Sequence, residues 1–471
     1  MTEILNYDLV VVGGGPAGMA AALAAKDNGV PEEKIIVLER DVRLGGILEQ
    51  CIHTGFGLTY FGEELSGPEY ADRFVKLMDE TKIAVKLNTM VLNITKENQV
   101  IATNKEDGLI TINAKAIILA MGCRERPRGA LDIAGTRPAG VMSAGQAQKF
   151  VNIDGYMPGH ECVILGSGDI GLIMARRLTL EGAEVLGVYE VKPTPSGLAR
   201  NIQQCLRDFD IPLYLSHTVT RVFGEDRLTG VEIAKVDENM RPIAGTEQYL
   251  DCDALILSVG LIPENEISEK LGVEIDAATR GPRCNKDQET SVPGVFSCGN
   301  SLQVFDLVDY VSDSGELAGT NAAEYAKGTY TRSDKARVPV PLEEPAGDMA
   351  PNQMVCITCP KGCLLTVDRE EDGSITVTGN RCPRGELFAI NELSAPKRTI
   401  CSTVRTAFPE TPVLPVRVST DIPKEKIFDV MNEIDKVCVT MRVSRGDILI
   451  RDVLGTGADV IATSDLLQPD A

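Results

Sequence analysis

The chain has 471 residues, of which 43% are hydrophobic and 24% charged, so it is long enough for two or three domains with sizeable cores. Its formal net charge of −21 argues against nucleic acid or an anionic membrane surface as a partner. No apolar stretch reaches the roughly 18–20 residues of a membrane span, and the N-terminus does not read as a signal peptide. With 13 cysteines, this pattern predicts a cytoplasmic protein in which metal or redox chemistry is more common than disulfides.

A glycine-rich turn follows an apolar run near the N-terminus. Gly13 allows a sharp turn from strand into helix, Gly15 lets a pyrophosphate approach the backbone, and Gly18 lets helix and strand pack closely. The helix start offers N–H groups and a partial positive charge to phosphates. Glu39 ends the next apolar run, where an acid would bind ribose hydroxyls. The residues predicted to bind this first dinucleotide include Gly13, Gly15, Pro16, Ala17, Gly18, Glu39, Arg40 and Gly46.

The same pattern recurs about 150 residues later, which predicts a second dinucleotide site. Glu190 ends the second apolar run, and its carboxylate would accept hydrogen bonds from a ribose diol but repel a 2′-phosphate. The sequence therefore favours NAD(H) over NADP, although Lys192 close by weakens that preference. The residues predicted to bind the second dinucleotide are Gly166, Gly168, Asp169, Ile170, Glu190 and Gly260, with Gly171 completing the motif.

The order of segments predicts the domains. Both units end in an apolar strand followed by glycine, at residues 116–122 and 253–260, and residues 290–300 return the chain to the first unit. Helices are expected at 68–80 and 308–326, with short antiparallel strands over 83–113. The fold class is α/β with two Rossmann-like domains and a small α+β cysteine-rich domain. The predicted boundaries are 1–125 with 262–330 for the first domain, 126–261 for the second, 331–352 for a proline-rich linker and 353–471 for the third.

Residues 1 to about 328 resemble the pyridine nucleotide:disulfide oxidoreductases, which are flavoproteins with two dinucleotide sites. The resemblance rests on both glycine loops, both acids, the strand to Gly122 and the return at 293–300. It implies FAD in the first site and NAD(P)H in the second. The return motif of that superfamily normally ends Gly-Asp, whereas here it is Gly299-Asn300, and Asn can still both donate and accept at the flavin. The resemblance adds Ala120, Gly122, Gly299 and Asn300 to the FAD site.

Members of this superfamily that reduce disulfides carry two cysteines beside the flavin, but here only Cys51 follows the Gly45-Gly46 turn. A dithiol shuttle is therefore not expected. Cys51 is either a lone thiolate activated by His53 or, as the sequence favours, a small residue packed near the flavin. His53, in a glycine-rich loop, is the best candidate proton donor or acceptor.

Four cysteines beyond the linker predict a metal centre, with Cys-x2-Cys-x3-Cys followed after 18 residues by Cys-Pro. The dense triple with a remote Cys-Pro resembles [4Fe–4S] ligation, whereas zinc commonly uses two Cys-x2-Cys pairs. The sequence favours the cluster over zinc, and free thiols are the third alternative. Residues 354–468 also resemble an uncharacterised domain found beside glycerol-3-phosphate dehydrogenase-like flavoproteins of anaerobic bacteria. The predicted ligands are Cys356, Cys359, Cys363 and Cys382.

Three functions follow from these patterns. The favoured one is an FAD-dependent oxidoreductase that exchanges hydride with NAD(H) and passes electrons to the C-terminal cluster or to a partner flavoprotein dehydrogenase, acting on glycerol-3-phosphate or a 2-hydroxyacid. The second is a stand-alone NADH-dependent reductase of a thiol, disulfide or oxygen that uses Cys51. The third is a non-catalytic, zinc-containing subunit of a flavoprotein complex. An oligomer or hetero-complex is expected.

Overall fold

The structure is a computed structural model that describes residues 3–341, 349–369 and 374–465. Contacts between Cα atoms divide the chain into two units. Unit 1 holds the described residues of Met1–Cys51, Phe56–Arg124 and Leu261–Leu342. Unit 2 holds the described residues of Ile52–Gly55, Glu125–Gly260 and Glu343–Ala471.

The α-helices of the described residues, in chain order, are α1 (Pro16–Asp27), α2 (Gly67–Asp79), α3 (Ala144–Lys149), α4 (Asp169–Leu180), α5 (Ala199–Asn201), α6 (Glu266–Leu271), α7 (Val308–Lys327), α8 (Pro383–Ser394) and α9 (Ile427–Ile434). Across these described residues, no helix combines the length and the apolar character that a membrane crossing requires.

The strands of the described residues are β1 (Glu3–Val12), β2 (Ile35–Leu38), β3 (Thr54–Phe56), β4 (Leu65–Ser66), β5 (Ala84–Lys86), β6 (Met90–Ile94), β7 (Gln99–Asn104), β8 (Gly108–Leu119), β9 (Cys123–Glu125), β10 (Ala134–Gly135), β11 (Val141–Ser143), β12 (Glu161–Leu165), β13 (Glu184–Glu190), β14 (Leu213–Leu215), β15 (His217–Phe223), β16 (Gly230–Lys235), β17 (Gln248–Asp251), β18 (Ala254–Leu257), β19 (Leu261–Pro263), β20 (Val295–Ser297), β21 (Gln353–Val355), β22 (Leu364–Arg369), β23 (Ile375–Thr378), β24 (Lys397–Arg398), β25 (Cys401–Thr406), β26 (Val413–Val418), β27 (Ile422–Pro423), β28 (Cys438–Val439), β29 (Ile448–Ile450) and β30 (Val460–Ala462).

Unit 1 is built on a seven-stranded sheet in the order β5-β2-β1-β8-β7-β6, with β20 also paired to β8. Strand β8 pairs in parallel with β1 along its length, with β7 in antiparallel at its start and with β20 in parallel at its end. Successive residues of β1 face opposite sides of the sheet, so Leu9 and Val11 lie in one core cluster and Val10 and Val12 in another. Strand β1 is therefore buried on both faces, as expected of a strand that positions a nucleotide loop.

Helices α1 and α7 pack closely because small residues recur at a spacing of four on both helices. A Cβ atom at Gly315 would lie 2.2 Å from the carbonyl oxygen of Ala17, and one at Gly319 would lie 2.2 Å from that of Ala21. Only glycine allows backbones to approach this closely. The helix that follows the first glycine loop is thus held against the helix that follows the return motif.

Unit 2 contains a five-stranded parallel sheet in the order β11-β18-β12-β13-β14 and a four-stranded sheet in the order β10-β15-β16-β17. The core beneath the parallel sheet includes Leu172 and Leu178 of α4 together with Ile164 of β12. The second glycine loop connects β12 to α4, so both ends of this loop are anchored in a buried core.

The C-terminal part of unit 2 adds a three-stranded sheet (β21-β22-β23) and a five-stranded sheet (β28-β25-β26-β30-β29). Its main core includes Val416 and Met431, and Leu180 at the end of α4 belongs to the same cluster. Buried ion pairs reinforce this contact, since the Asp208 carboxylate accepts hydrogen bonds from Arg398 Nη2 at 3.0 Å and Lys424 Nζ at 2.9 Å. The cysteine-rich segment, expected as a domain of its own, therefore shares a core with residues 125–260.

Several predicted elements are confirmed, including the helix after residue 67, the long helix α7 and the strand that precedes each glycine loop. One expectation for residues 83–113 is wrong: β5 is not antiparallel but pairs in parallel with β2. The predicted linker is partly bound to unit 1, because the amide of Lys286 donates to the carbonyl of Lys335 at 2.8 Å. Pro345, within the predicted linker, lies outside the described residues.

Candidate dinucleotide-binding sites

The first glycine loop of unit 1 has the backbone that the sequence predicts. Gly13 has φ +110°, and a Cβ atom there would lie 2.4 Å from the carbonyl oxygen of Ala120. A Cβ atom at Gly18 would lie 1.9 Å from the carbonyl oxygen of Gly13. Gly15 is different, because its φ of −76° is ordinary and an added Cβ would meet no chain atom within 4 Å. The chain thus leaves open space over Gly15, where the sequence predicts that a pyrophosphate approaches.

Glu39 closes this loop from the tip of β2. Its carboxylate accepts a hydrogen bond from the amide of Gly14 at 2.7 Å and another from the amide of Asp41 at 2.8 Å. The side chain is buried, so these two amides hold the charged carboxylate in a fixed position. The following residue, Arg40, is exposed. Gly46 also lies here, since a Cβ atom on it would come within 3.2 Å of the Gly15 Cα atom.

The return motif meets the same loop. Gly299 has φ +58°, and a Cβ atom there would lie 2.7 Å from the Ala17 Cβ atom. The Asn300 side-chain oxygen accepts from the amide of Phe305 at 3.1 Å, which orients the side chain that replaces the superfamily's Asp. Gly122, at the end of the neighbouring strand, has φ +73° and open space on its Cβ side. Unit 1 thus brings Gly13–Gly18, Glu39, Gly46, Ala120 and Gly299 around one loop.

The second glycine loop repeats this geometry in unit 2. Gly166 has φ +98°, and its added Cβ would lie 2.1 Å from the carbonyl oxygen of Ser258. Its amide donates to the carbonyl of Tyr189 at 2.7 Å, as the amide of Gly13 donates to Leu38 at 2.9 Å. Gly168 has φ −65° and forms the N-cap of α4. The two loops therefore share their turn, their close approach to a neighbouring strand and their helix start.

Glu190 occupies the position in unit 2 that Glu39 occupies in unit 1. Its buried carboxylate accepts from the amide of Ser167 at 3.0 Å, from the Ser167 hydroxyl at 2.6 Å and from the Ser196 hydroxyl at 3.2 Å. The amide of Lys192 also donates to it, at 3.0 Å, while the Lys192 side chain is exposed. The carboxylate is thus held by neutral donors.

The remaining predicted residues of the second site are Asp169, Ile170 and Gly260. The Asp169 carboxylate accepts from the amide of Leu198 and from the Asn201 side chain, both at 2.8 Å, which ties residues 198–201 to the start of α4. Ile170 packs against the core of the parallel sheet. Gly260 has φ +106°, and its carbonyl accepts from the amide of Arg126 at 2.9 Å. Asp169 and Ile170 therefore shape the loop through packing and hydrogen bonds.

The two predicted catalytic residues fall in different units. Cys51 ends the first segment of unit 1, where its carbonyl accepts from the amide of Gly67 at 2.9 Å. His53 belongs to unit 2 and lines a cavity there. Burial, with smaller contributions from the charges of Arg200 and Arg176, lowers the pKa of His53 to about 4. Its imidazole is therefore neutral at neutral pH. The catalytic roles of both residues stay predictions.

The four predicted metal ligands lie in the small three-stranded part of unit 2. The amide of Cys356 donates to the carbonyl of Cys363 at 2.9 Å, and Cys382 forms the N-cap of α8. The Arg384 guanidinium hydrogen-bonds the Cys382 thiol, which lowers the pKa of that thiol, and Cys356 and Cys359 also lie near Arg384. The thiol chemistry suits iron or zinc. In the described ranges, however, no three His, Cys, Asp or Glu side chains are arranged to hold a metal.

Sequence reasoning missed the serines that complete the second site. The Ser258 hydroxyl accepts from the amide of Gly171 at 3.0 Å, and the Ser167 hydroxyl accepts from the amide of Ser196 at 2.9 Å. Ser258 lies two residues before Gly260, at the end of a strand already identified, so its position carried a usable signal. Ser196 carried none, because its contact depends on how the loop after Glu190 folds back.

The duplicated loop geometry agrees with comparison to known families. The family model described as pyridine nucleotide-disulphide oxidoreductase matches residues 7–324, about two thirds of the chain. The chain belongs to this family. A second model, described only as a protein of unknown function (DUF1667), matches residues 383–464. The second match confirms an uncharacterised domain over residues 383–464, but it begins after the last of the four cysteines and does not show the expected link to glycerol-3-phosphate dehydrogenase-like flavoproteins.

Named relatives match about two thirds of the chain. The hydrogen cyanide synthase subunit HcnB of Pseudomonas protegens is 28% identical over 320 residues, covering 63% of this chain and 66% of that protein. An opine oxidase subunit of Agrobacterium tumefaciens is 25% identical over 336 residues, covering 68% of this chain and 63% of that protein. The matches thus span just under two thirds of each relative. The crystal structure of T. acidophilum thioredoxin reductase shares the fold, with a TM-score of 0.55 and 23% identity, covering 69% of this chain and 99% of that one.

Proposed function

We propose that the protein is an FAD-dependent oxidoreductase that transfers hydride between NAD(H) and FAD. The observation that carries this proposal is the repeated loop geometry, in which Gly14 and Ser167 donate their amides to the buried carboxylates Glu39 and Glu190. Assigning FAD to unit 1 and NAD(H) to unit 2 follows the order known for the family. Bound FAD supplies hydride acceptance and can release electrons singly.

The chain's own residues bind and select the two nucleotides. In unit 1 the open side of Gly15 admits a pyrophosphate, and the N-terminus of α1 faces its charge. In unit 2 the carboxylate of Glu190 would accept from both ribose hydroxyls and would repel a 2′-phosphate. Since Lys192 contributes its backbone amide to Glu190 while its side chain is exposed, we favour NAD(H) over NADP.

The proposal predicts that NADH bleaches bound flavin and that Gly168→Ala weakens this reaction. A Cβ atom at Gly168 would lie 3.3 Å from the Ser258 hydroxyl, a contact that a shift of a few tenths of an ångström relieves, so the variant should fold and keep its flavin. The methyl group would obstruct the pyrophosphate and raise the NADH concentration for half-maximal bleaching about tenfold or more. Anaerobic NADH titration followed by visible absorbance measures this.

Gly129→Ala is the matched control, because an added Cβ there meets no atom within 4 Å and the residue lies outside both loops. Its titration should match that of the unchanged protein. A preparation that takes up no flavin after reconstitution, or flavin that NADH leaves oxidised, would contradict the proposal.

The second part of the proposal is that electrons leave FAD for a partner dehydrogenase or for a metal centre in unit 2. The partner is supported by the names of HcnB and of the opine oxidase protein, since each is a subunit of a larger enzyme. We keep a flavoprotein that oxidises glycerol-3-phosphate or a 2-hydroxyacid as the proposed partner. The metal centre is supported by the Cys-x2-Cys-x3-Cys spacing and by the nearness of three of the four cysteines to Arg384, and it requires the four thiols to draw together, since the described side chains are not arranged around a metal.

We expect anaerobically purified protein to contain about four iron atoms per chain, as a [4Fe–4S] cluster requires. Cys382→Ser removes a ligand and should abolish the iron content and the broad absorbance of the cluster. Cys438→Ser is the matched control, because Cys438 is exposed and outside the motif. If the protein instead contains one zinc atom per chain, the four cysteines form the alternative zinc site. If Cys382→Ser leaves the metal content unchanged, these four cysteines are not the ligands.

A further inference from the structure

Unit 2 contains a cavity that neither dinucleotide loop forms. It has a volume of about 30 Å³ and is bounded by the loop at Ile52–Thr54, by α4 and by the start of β25. That volume holds about two water molecules. Both polar and apolar side chains line it. The polar side chains are His53, Thr54, Gln148, Asn152, Arg176, Arg177 and Gln204, and the apolar ones include Ile173, Met174 and Leu180.

Arg176 is the group in this cavity wall whose interactions are incomplete. Its Nη2 donates to the carbonyl of Thr399 at 2.6 Å, and its guanidinium lies 5.7 Å from the centre of the Phe209 ring. Its Nε–H is buried and has no acceptor. In the part of the chain that the structure describes, no carboxylate forms an ion pair or hydrogen bond with Arg176. Such a buried, unpaired cationic donor is costly unless something binds it.

The neighbouring carboxylates do not pair with Arg176. Glu181 pairs with Arg177 and accepts from the Ser402 hydroxyl at 2.9 Å. Asp208 is held by Arg398 and Lys424. Asp421 is near enough to feel the charge of Arg176, but burial outweighs that charge and raises the pKa of Asp421, and no ion pair between the two is found among the described residues.

The rest of the wall adds little negative charge. Burial raises the pKa of Cys205 to about 12, so it stays a neutral thiol. Arg177 is satisfied by Glu181 and by Asn152, whose oxygen accepts from Arg177 Nε at 2.9 Å. His53 is uncharged at neutral pH. The cavity therefore has a net positive potential with one available charged donor.

We propose that this cavity binds the carboxylate of a small organic acid, with Arg176 as its principal donor. A planar carboxylate matches the guanidinium fork, and the volume of the cavity suits a group of three or four heavy atoms. Ile173, Met174 and Leu180 in the same wall give a short alkyl substituent apolar side chains to contact. A tetrahedral, doubly charged phosphate is larger and would need more donors than this wall offers.

The test measures binding of acetate to the full chain by calorimetry, with sodium chloride at equal ionic strength as the reference. Acetate should bind the unchanged protein, and Arg176→Gln should weaken it about 10- to 100-fold, since hydrogen bonds to charged groups account for differences of that size. Arg221→Gln is the matched control, because Arg221 is exposed in the same unit and the charge change is identical. Arg176→Lys, which keeps the charge but loses the planar fork, should weaken binding to an intermediate degree.

A second measurement needs no variant at Arg176. A carboxylate bound beside Arg176 offsets the cationic field on His53, so acetate should raise the pKa of one of the three histidines in an NMR titration, and His53→Asn should remove that signal. The proposal fails if acetate does not bind, or if Arg176→Gln and Arg221→Gln bind it equally. Binding of inorganic phosphate without acetate would overturn the carboxylate assignment. Flavin bleaching by NADH should persist in Arg176→Gln, which separates this test from the proposed function.

Discussion

Gly15→Ala is expected to leave the chain folded and to weaken its binding of FAD about 100-fold. Gly15 has an ordinary φ of −76°, and an added methyl group would touch no atom of the chain. The only atoms it would meet are those of a pyrophosphate at the start of α1. Losing two charge-assisted hydrogen bonds there would cost about 3 kcal/mol, or about 100-fold in FAD affinity. The flavin content after purification and the Kd on reconstitution measure the effect.

Two comparisons make the Gly15 result specific. Gly129→Ala should keep full flavin content, because it also adds a methyl group to open space. Gly18→Ala should instead destabilise the fold, since its Cβ would lie 1.9 Å from the carbonyl oxygen of Gly13. If Gly15→Ala binds FAD as tightly as Gly129→Ala does, the first loop does not cradle a pyrophosphate.

Asp208→Ala is expected to destabilise unit 2 by about 3–5 kcal/mol, the usual cost of removing one partner from a buried ion pair. The side chains of Asp208 and Arg398 are 1% and 3% exposed. Without Asp208, Arg398 keeps only Glu392, and Lys424 loses its partner. The free energy of unfolding in urea, measured on the full chain, reports this loss.

The effect of Asp208→Ala should depend on pH. Burial by itself would raise the pKa of Asp208, but the hydrogen bonds and charges of Arg398 and Lys424 outweigh it and hold the pKa below its usual value of 3.8. Because the pKa of Asp208 is lower in the folded than in the unfolded state, its ionised carboxylate stabilises the fold above the unfolded-state pKa, and this stabilisation is lost as the pH falls. The difference in free energy of unfolding between the unchanged protein and Asp208→Ala should therefore shrink below about pH 4.

The Asp208 prediction has its own control. Glu433→Ala, which breaks the exposed pair with Lys436, should change stability by less than about 1 kcal/mol. If Asp208→Ala and Glu433→Ala lower the free energy of unfolding equally, the buried pair contributes no more stability than an exposed one.

The two nucleotide loops could be predicted from sequence because every determinant is local. Gly13 and Gly166 follow buried strands directly, and Glu39 and Glu190 end the next strand, so spacing alone predicts where they lie in each loop. The long helix α7 and its start at residue 308 were equally visible from apolar periodicity. In these segments the sequence pattern already predicts the strand, turn and helix, and the structure adds the hydrogen bonds that hold them.

What could not be predicted depends on contacts between distant segments. The cavity joins the loop at Ile52–Thr54 to Arg176 and to Cys401, which no motif relates. The grouping of the cysteine-rich segment with residues 125–260 depends on Asp208, Arg398 and Lys424, whose charges do not stand out individually in the sequence. The parallel pairing of β5 with β2 was missed because a three-residue strand shows too little alternation to reveal its partner.

The outer face of α4 has a consequence for how this chain can be divided. Leu180 is buried among C-terminal side chains, the Arg176 guanidinium donates to Thr399, and the Arg177 guanidinium donates to Thr403 at 3.2 Å. A fragment that ends before the C-terminal segment would expose Leu180 to water. It would also leave the Asp208 carboxylate without Arg398 and Lys424. The C-terminal segment thus covers one face of α4, and we expect that removing it would lower the stability of the rest of unit 2.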